Sequence, residues 1–552
     1  MKKSIIIGFF TIFSALCLQA QVDDVSTELL KPFKAKLAES SKKTSMPILP
    51  ALDTNAGKIT YEVPEHLMRV SYPDPTIRPL AMPAPKPPIT NSFYAKAGFG
   101  YPISPLVEMS YHNKQNKNLK FGTNFRHHSS QGNVTNQVFG NTHFDLGGTY
   151  QLESGLAFGA KLGFNLDAYR FYGYHKLSDI LPDSLEIFPD SISISKDSIS
   201  QQFFEFFANV HLFNGKLTKS QFNYSADIDV SILNDKYGAK EFVLAPKVSV
   251  EKWLGRYKNK HRLSSDLYVN LASFNKDSTG NSRMLLNFRP GIDLNFGMFK
   301  ATAATNLGVN EGNFFIFPDV KIALSVAEGM FNIYAGWNGQ MRTNTFRSFS
   351  QYNPFISSEM EMRHTSFSEI FGGLSGNIKG VGYDFRAGYA MTKDMPIFLN
   401  DSTQDYLRFN VLYDTVKVLN FKGTLDFRVI KNFAVMAAVG YNIYLNGTAD
   451  KAYHLPTFTS NFTAQYNVKN LFLKAEVYFN AGVPNIDVLT QQSDVLGGLF
   501  DINLGASYWL GKKKQNIGFF VDINNILNNK NQRWYLYPQL GFNAKGGILV
   551  KF

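Results

Sequence analysis

Cysteine is almost missing from this 552-residue chain, whose one thiol, Cys17, lies within the first 20 residues. Disulfides and cysteine-based metal sites are therefore excluded from the remainder. Long apolar runs are missing too: beyond residue 20 no stretch approaches the ~18 consecutive apolar residues of a membrane helix. There is no HExxH pair and no phosphate-cradling glycine loop, and Gly373-Leu374-Ser375-Gly376 lacks the spacing of a nucleophile elbow. The formal charge is +12, yet the basic residues are scattered among turns, with no recognition helix or base-stacking sheet, which argues against nucleic acid as a partner. Neither catalytic residues, nor a cofactor, nor a metal is expected.

Aromatic residues, by contrast, are abundant. They make up 14% of the chain, with 49 Phe and 27 Tyr beside 42 Gly, while the mean hydropathy is slightly negative at -0.16. That combination suits alternating strands with aromatic girdles. The pattern is clearest in Phe542 to Phe552, where Phe542, Ala544, Gly546, Ile548, Val550 and Phe552 are apolar or small and the other parity includes Asn543, Lys545 and Lys551. Period 2 marks a strand with different surroundings on its two faces. The same texture recurs upstream with no helical sequence between, so lipid is the expected cover for the greasy side.

Strands of this kind are expected at 22 places between 93 and 552, including 93–101, 118–128, 156–174, 284–296, 299–311, 380–393, 452–467, 516–528 and 540–552. The run 405–430 is read as one long strand, because Leu407, Phe409, Val411, Tyr413, Leu419, Phe421, Leu425 and Phe427 share odd parity. Alternate links are short, among them Glu153-Ser154-Gly155, Ala327-Glu328-Gly329, Lys379-Gly380, Lys431-Asn432, Val468-Lys469 and Lys512-Lys513-Lys514. The intervening links are mostly longer, notably 175–199, 344–362, 484–498 and 529–539. Short turns on one side and long loops on the other are the habit of outer-membrane barrels, with the short side periplasmic. The expected fold class is all-β: a transmembrane antiparallel β-barrel of about 22 strands over 92–552, preceded by a proline-rich extended segment. A soluble β-sandwich would pair its greasy faces and leaves the alternation of link lengths without a reason.

Two stretches precede the barrel. Met1 to Ala20 carries Lys2 and Lys3, an apolar run from Ile5 to Leu18, and a small residue before Gln21, and reads as a cleavable signal peptide. Residues 21–91 hold 11 of the 23 prolines and read as a periplasmic tether, since proline at that density favours extended segments over a sheet interior. Within it, Ile59, Thr60, Tyr61, Glu62 and Val63 form a short β-prone run, read either as a partner-contacting strand added to a sheet edge or as locally extended linker. His127-His128 would need a third ligand to hold a metal, and adjacent strand residues point to opposite faces. The acidic loop with Asp179, Asp183, Glu186, Asp190 and Asp197 has oxygens that calcium favours but not the tight glycine loop.

The text from Val521 to Phe552 has a strand ending in an Asn-Asn-Ile-Leu-Asn-Asn turn, then an aromatic loop, Pro538 and a final strand. It resembles the closing strands of the TonB-dependent receptor barrels. Across 92–552 the chain is similar to the plug-less, receptor-like barrels of Bacteroidota, with Phe409 to Leu419 and Ala452 to Pro456 in that group's texture. The resemblance implies an outer-membrane location and insertion by the outer-membrane assembly machinery, with Phe542, Ile548, Val550 and Phe552 as the assembly signal. It departs from the receptors in one respect: only about 70 proline-rich residues precede Ser92, where a receptor carries a folded plug.

Two functions follow as expectations. One is solute transport across the outer membrane through a lumen lined by the polar parity. The other is a non-transporting structural or assembly subunit that holds periplasmic or outer-membrane protein partners. Barrels of this size ordinarily contain a plug, so the tether, a partner or inward-folded loops such as 344–362 are expected to fill the lumen.

Overall fold

The computed structural model describes residues 91–552 apart from 114–115, 117, 181–194, 217, 256–259, 278, 403–404, 446 and 512–515. The expected signal peptide, the proline-rich segment, Ile59–Val63 and the Lys512–Lys514 turn lie outside the described residues.

Alternation of side chains dictates the architecture. In strand Ile517–Asn524, Ile517, Phe519 and Val521 are each 49% exposed on the outer wall, whereas Phe520 is 3% exposed and Asp522 turns inward to Lys96 at 2.9 Å. Strands with one apolar and one polar face can close into a ring, with the apolar side outward. Twenty-two antiparallel strands do so, each pairing with its neighbours in the chain. The first, Phe93–Tyr101, closes on the last, Asn543–Lys551, from Tyr94↔Lys551 to Tyr101↔Ala544, and closure leaves the sheet without free ends.

Every expected strand has its counterpart, and the differences are at the ends. The expected strand 156–174 stops at Arg170, and the chain turns into a short helix, α1 (Tyr174–Ile180). The expected strand 452–467 begins only at Phe458, since Tyr453 and His454 are buried among the loops. Strand Val381–Asn400 runs past the expected end at 393 through a bulge between Thr392 and Met395, with Asp394 at φ 52°, because one extra residue lets a ladder bend and continue. The run 405–430 is indeed one strand, Phe409–Phe427. Its odd-numbered apolar residues do not share one cover, however. Phe421 and Leu425 are exposed on the outer wall, while Phe409 and the neighbouring Leu407 are buried under protein.

One rim carries tight turns such as Lys379–Gly380, whose φ values of 49° and 89° are those of a two-residue hairpin turn. The other carries the long links 171–199, 343–364, 482–498 and 525–542, although 277–278 and 311–312 on that rim are short. The long links hold α1, a second helix α2 (Phe346–Tyr352), and two small hairpins, Val483–Ile486 with Ser493–Leu496 and Gln532–Trp534 with Tyr537–Pro538. One seam in the wall is incomplete: strand Asn313–Val326 pairs with Phe331–Arg342 only from Asp319↔Asn338 to Val326↔Phe331.

Candidate functional site: a loop-built seal over a charged lumen

The largest cluster of buried apolar side chains lies at the long-loop rim. Tyr537 is its hub. Its ring stacks on Phe355 at 3.6 Å, Tyr172 meets it edge-on at 5.1 Å, and its hydroxyl donates to the Leu407 carbonyl at 2.6 Å. Trp534 packs beside Phe398, Phe409, Tyr352 and His454. Segments far apart in the chain thus share one aromatic core, and apolar burial of this kind holds loops together without a ladder.

The loop 343–364 reaches across to the opposite wall. Thr345 caps α2, its hydroxyl accepting from the Ser348 amide while the Ser348 hydroxyl accepts from the Thr345 amide. Arg347, on the first turn, reaches Asp167 at 2.5 Å and Glu205 at 2.9 Å. Glu241 accepts from the Phe346 amide at 2.8 Å and the Arg347 amide at 3.1 Å, and pairs with buried Arg283 at 3.4 Å. Arg283 also donates to the Asn344 carbonyl at 2.5 Å, and Asn281 to the Met362 carbonyl at 3.1 Å. Ser358 bonds Asp235. A loop anchored on five different strands beyond its own pair is a built part of the mouth, folded inward as one of the expected alternatives had it; the tether, another of them, lies outside the described residues.

Below the seal the inner wall carries charges in mutual pairs. Arg289 meets Asp319 at 2.5 Å and Asp266 at 3.5 Å, and Arg262 meets Asp293 at 2.6 Å and Glu251 at 3.2 Å. Arg386 pairs with Glu369. One wall cavity of about 500 Å³ lies among Lys96, Lys474, Glu476, Trp509, Asp522 and Lys545. Another, of about 470 Å³, lies among Lys216, Glu251, Arg262, Asp266 and Arg289. Such a surface keeps a lumen wet and offers partners of both signs to a polar solute.

Burial keeps the tyrosine and histidine groups of the seal, Tyr172, Tyr537, His454 and His364, neutral. It pushes the Tyr172 hydroxyl up to about 12 and Tyr537 well above the ordinary range. Burial lowers His454 to about 4 against the opposing hydrogen bond to the Phe398 carbonyl. His364 falls to about 4 through burial and then the nearby Arg283 charge. These groups are closed inside a packed core, not presented to a reactant.

The residues singled out from sequence are placed as follows. Ile548 and Val550 lie along one face of the last strand and Phe552 follows it directly, whereas Phe542 precedes that strand, its amide bonded to Asn528 at 2.9 Å. Phe552 stacks on Phe93 at 5.2 Å. His127 bonds Thr142 at 2.9 Å and His128 meets Lys545 at 2.9 Å, so the two imidazoles part. Asp197 is held by Lys236 at 2.6 Å and Asp179 by Lys176 at 3.5 Å, while Asp183, Glu186 and Asp190 lie outside the described residues. Gly373–Gly376 lie inside strand Thr365–Ile378. Among the described residues no group of three or more His, Cys, Asp or Glu side chains is placed to hold a metal. Sequence reasoning missed Glu241, Arg283, Arg347 and Trp534–Tyr537. The available signal was the aromatic density of the loops, in Phe346 to Phe355 and Arg533 to Pro538, where solvated loops would be polar.

No family model matches the chain, and no curated protein matches it. Among solved structures it is similar to a variant of the ferric enterobactin receptor of Pseudomonas aeruginosa, with TM-score 0.60 and 10% identity over 83% of this chain and 80% of that one. It is similar to the ferric-catecholate import receptor of E. coli K12, with TM-score 0.62 and 7% identity over 84% and 82%. P. aeruginosa FpvA in a complex with a pyoverdine and iron gives TM-score 0.59 and 9% identity over 85% and 72%. Identities this low carry the fold alone.

Proposed function

We propose that this chain is an outer-membrane barrel that passes a solute through its charged lumen and is closed at rest by its own loops. The observation that carries the reading is the seal itself: a closed 22-strand wall with a polar interior and a mouth packed by the lumen-crossing loop 343–364. The similar structures are named as receptors for ferric chelates, which supports transport as the class and leaves the solute open. In this reading residues 1–20 direct export and 21–91 form a periplasmic tether. Ile59–Val63 contacts a periplasmic or outer-membrane protein partner, and Phe542, Ile548, Val550 and Phe552 present the assembly signal.

A second reading, a structural subunit that anchors partners, is favoured by the buried ion pairs of the seal, which resist opening. Planar-bilayer recordings of the purified full chain separate the two. The intact protein is expected to be nearly silent, and a variant with 344–362 replaced by a short glycine–serine linker to conduct in large, steady steps. A silent, folded variant would rule out the transport reading.

A further inference from the structure

The incomplete seam has a local cause: Pro318 has no N–H to give a ladder, and beyond it the facing residues 339–342 stay in the wall paired to their other neighbour alone. A Cβ on Gly339 would stand 2.7 Å from the Phe317 Cβ, and the Gly339 carbonyl accepts from the Asn306 side chain at 2.8 Å in place of a backbone partner. Strand Asn313–Val326 keeps its other neighbour up to Asn310↔Asn313, and Phe331–Arg342 keeps its own up to Arg342↔Thr365. The gap is therefore confined to 313–318 against 339–342. Residues of an antiparallel strand turn their backbone groups alternately to the two sides, so about half of 313–318 faces the gap.

On the outer wall the gap opens into a groove of about 1000 Å³. Phe314, 70% exposed, and Ile316, 63% exposed, form one flank. Trp337 lies between the flanks, its indole N–H donating to the Ser368 hydroxyl at 2.8 Å. Ser366, Ser368 and Lys393 form the other flank, with Ser366 directly opposite Lys393. Asp394, also at the groove, is engaged by Arg363 at 3.6 Å, while no ion pair of Lys393 is found among the described residues. An apolar flank facing the Lys393 cation with two hydroxyls is complementary to an anionic amphiphile. The groove is also continuous with the band of exposed Ile322, Leu324, Ile333 and Ile370 on the same strands.

We infer that this groove holds one anionic lipid of the surrounding bilayer, its acyl chain on Phe314, Ile316 and Trp337 and its headgroup phosphate on Lys393, Ser366 and Ser368. The inference rests on the membrane-spanning reading above. Trp337 reports on it directly, because Trp253 and Trp509 make their polar contacts inside the lumen and Trp534 is buried in the seal. The full chain and its W337F variant are placed in nanodiscs with rising fractions of brominated-chain phosphatidylglycerol or phosphatidylcholine, and their difference isolates the Trp337 emission. Phosphatidylglycerol is expected to reach half-maximal quenching at a several-fold lower mole fraction than phosphatidylcholine, and K393Q to abolish the preference. Quenching equal for both lipids and unchanged in K393Q is ordinary bilayer contact and overturns the inference. Quenching that appears only after a co-purifying polypeptide is stripped away assigns the groove to a protein strand and also overturns it. Quenching by neither lipid, with the β-rich spectrum intact, fails the membrane-spanning reading itself.

Discussion

Arg283 has a fully buried side chain, and Glu241 is nearly so. Charges this deep are tolerable only while paired and hydrogen-bonded, and stranding one costs about 3–5 kcal/mol. Glu241→Leu removes the acceptor of two α2 amides and leaves Arg283 without its carboxylate. The loop 343–364 should then release, which limited trypsin cleavage at Arg347 or Arg363 will register while the barrel stays intact. His454 offers a pH handle. Its Nδ1 faces the Phe398 carbonyl at 2.8 Å and its Nε2 the Tyr535 amide at 3.3 Å, an arrangement met by the neutral Nδ1–H tautomer alone. Its folded value of about 4 lies below the free value of 6.5, so the unfolded loops bind the proton first as pH falls. The neutral ring's contribution is complete above 6.5 and is lost as pH drops through 4, by about 1.4 kcal/mol per unit within that window. Trp534, 5.3 Å from the imidazole, should change its emission over the same range, and H454F should flatten the curve.

At the scale of elements, α2 is short enough to depend on its cap. Thr345→Ala removes one of two reciprocal bonds and costs about 1 kcal/mol. Amide exchange at Phe346–Tyr352 should accelerate about five-fold, with strand amides unchanged. The strands were legible because a wall between lipid and lumen imposes period 2 on every crossing: Ile517, Phe519 and Val521 against Asp522 needed no tertiary information. The seal was not. Leu407 and Phe409 carry the same parity as Phe421 and Leu425, and nothing local distinguishes a greasy residue covered by lipid from one covered by Trp534 and Tyr537. Parity reports that a face is apolar; what covers it depends on residues more than a hundred positions away. Arg347 was hidden for the same reason, since its partners Asp167 and Glu205 adjoin it only when the loop crosses the barrel.

For the molecule as a whole, the closing ladder from Tyr94↔Lys551 to Tyr101↔Ala544 is finished at one end by a small contact. Phe93 and Phe552 exchange backbone hydrogen bonds at 2.8 and 3.0 Å and stack their rings. Deleting Phe552 should lower the yield of heat-modifiable, membrane-inserted protein, while the molecules that do insert keep normal gel mobility; an unaltered yield would make the residue incidental. The seal adds a consequence of timing. Asp167, Glu205, Glu241 and Arg283 all precede 343–364 in the chain, so this loop can dock on walls already synthesised. Tyr537 and Pro538 cannot: they lie between the last two barrel strands, yet Pro538 is bonded to Gln137, 401 positions earlier, at 2.9 Å. Contacts this non-local form late. In the proposed reading, leak-tightness is thus acquired only when the last hairpin docks, and a truncated chain that lodges in a membrane without it would be a breach in a permeability barrier as well as a misfolded protein.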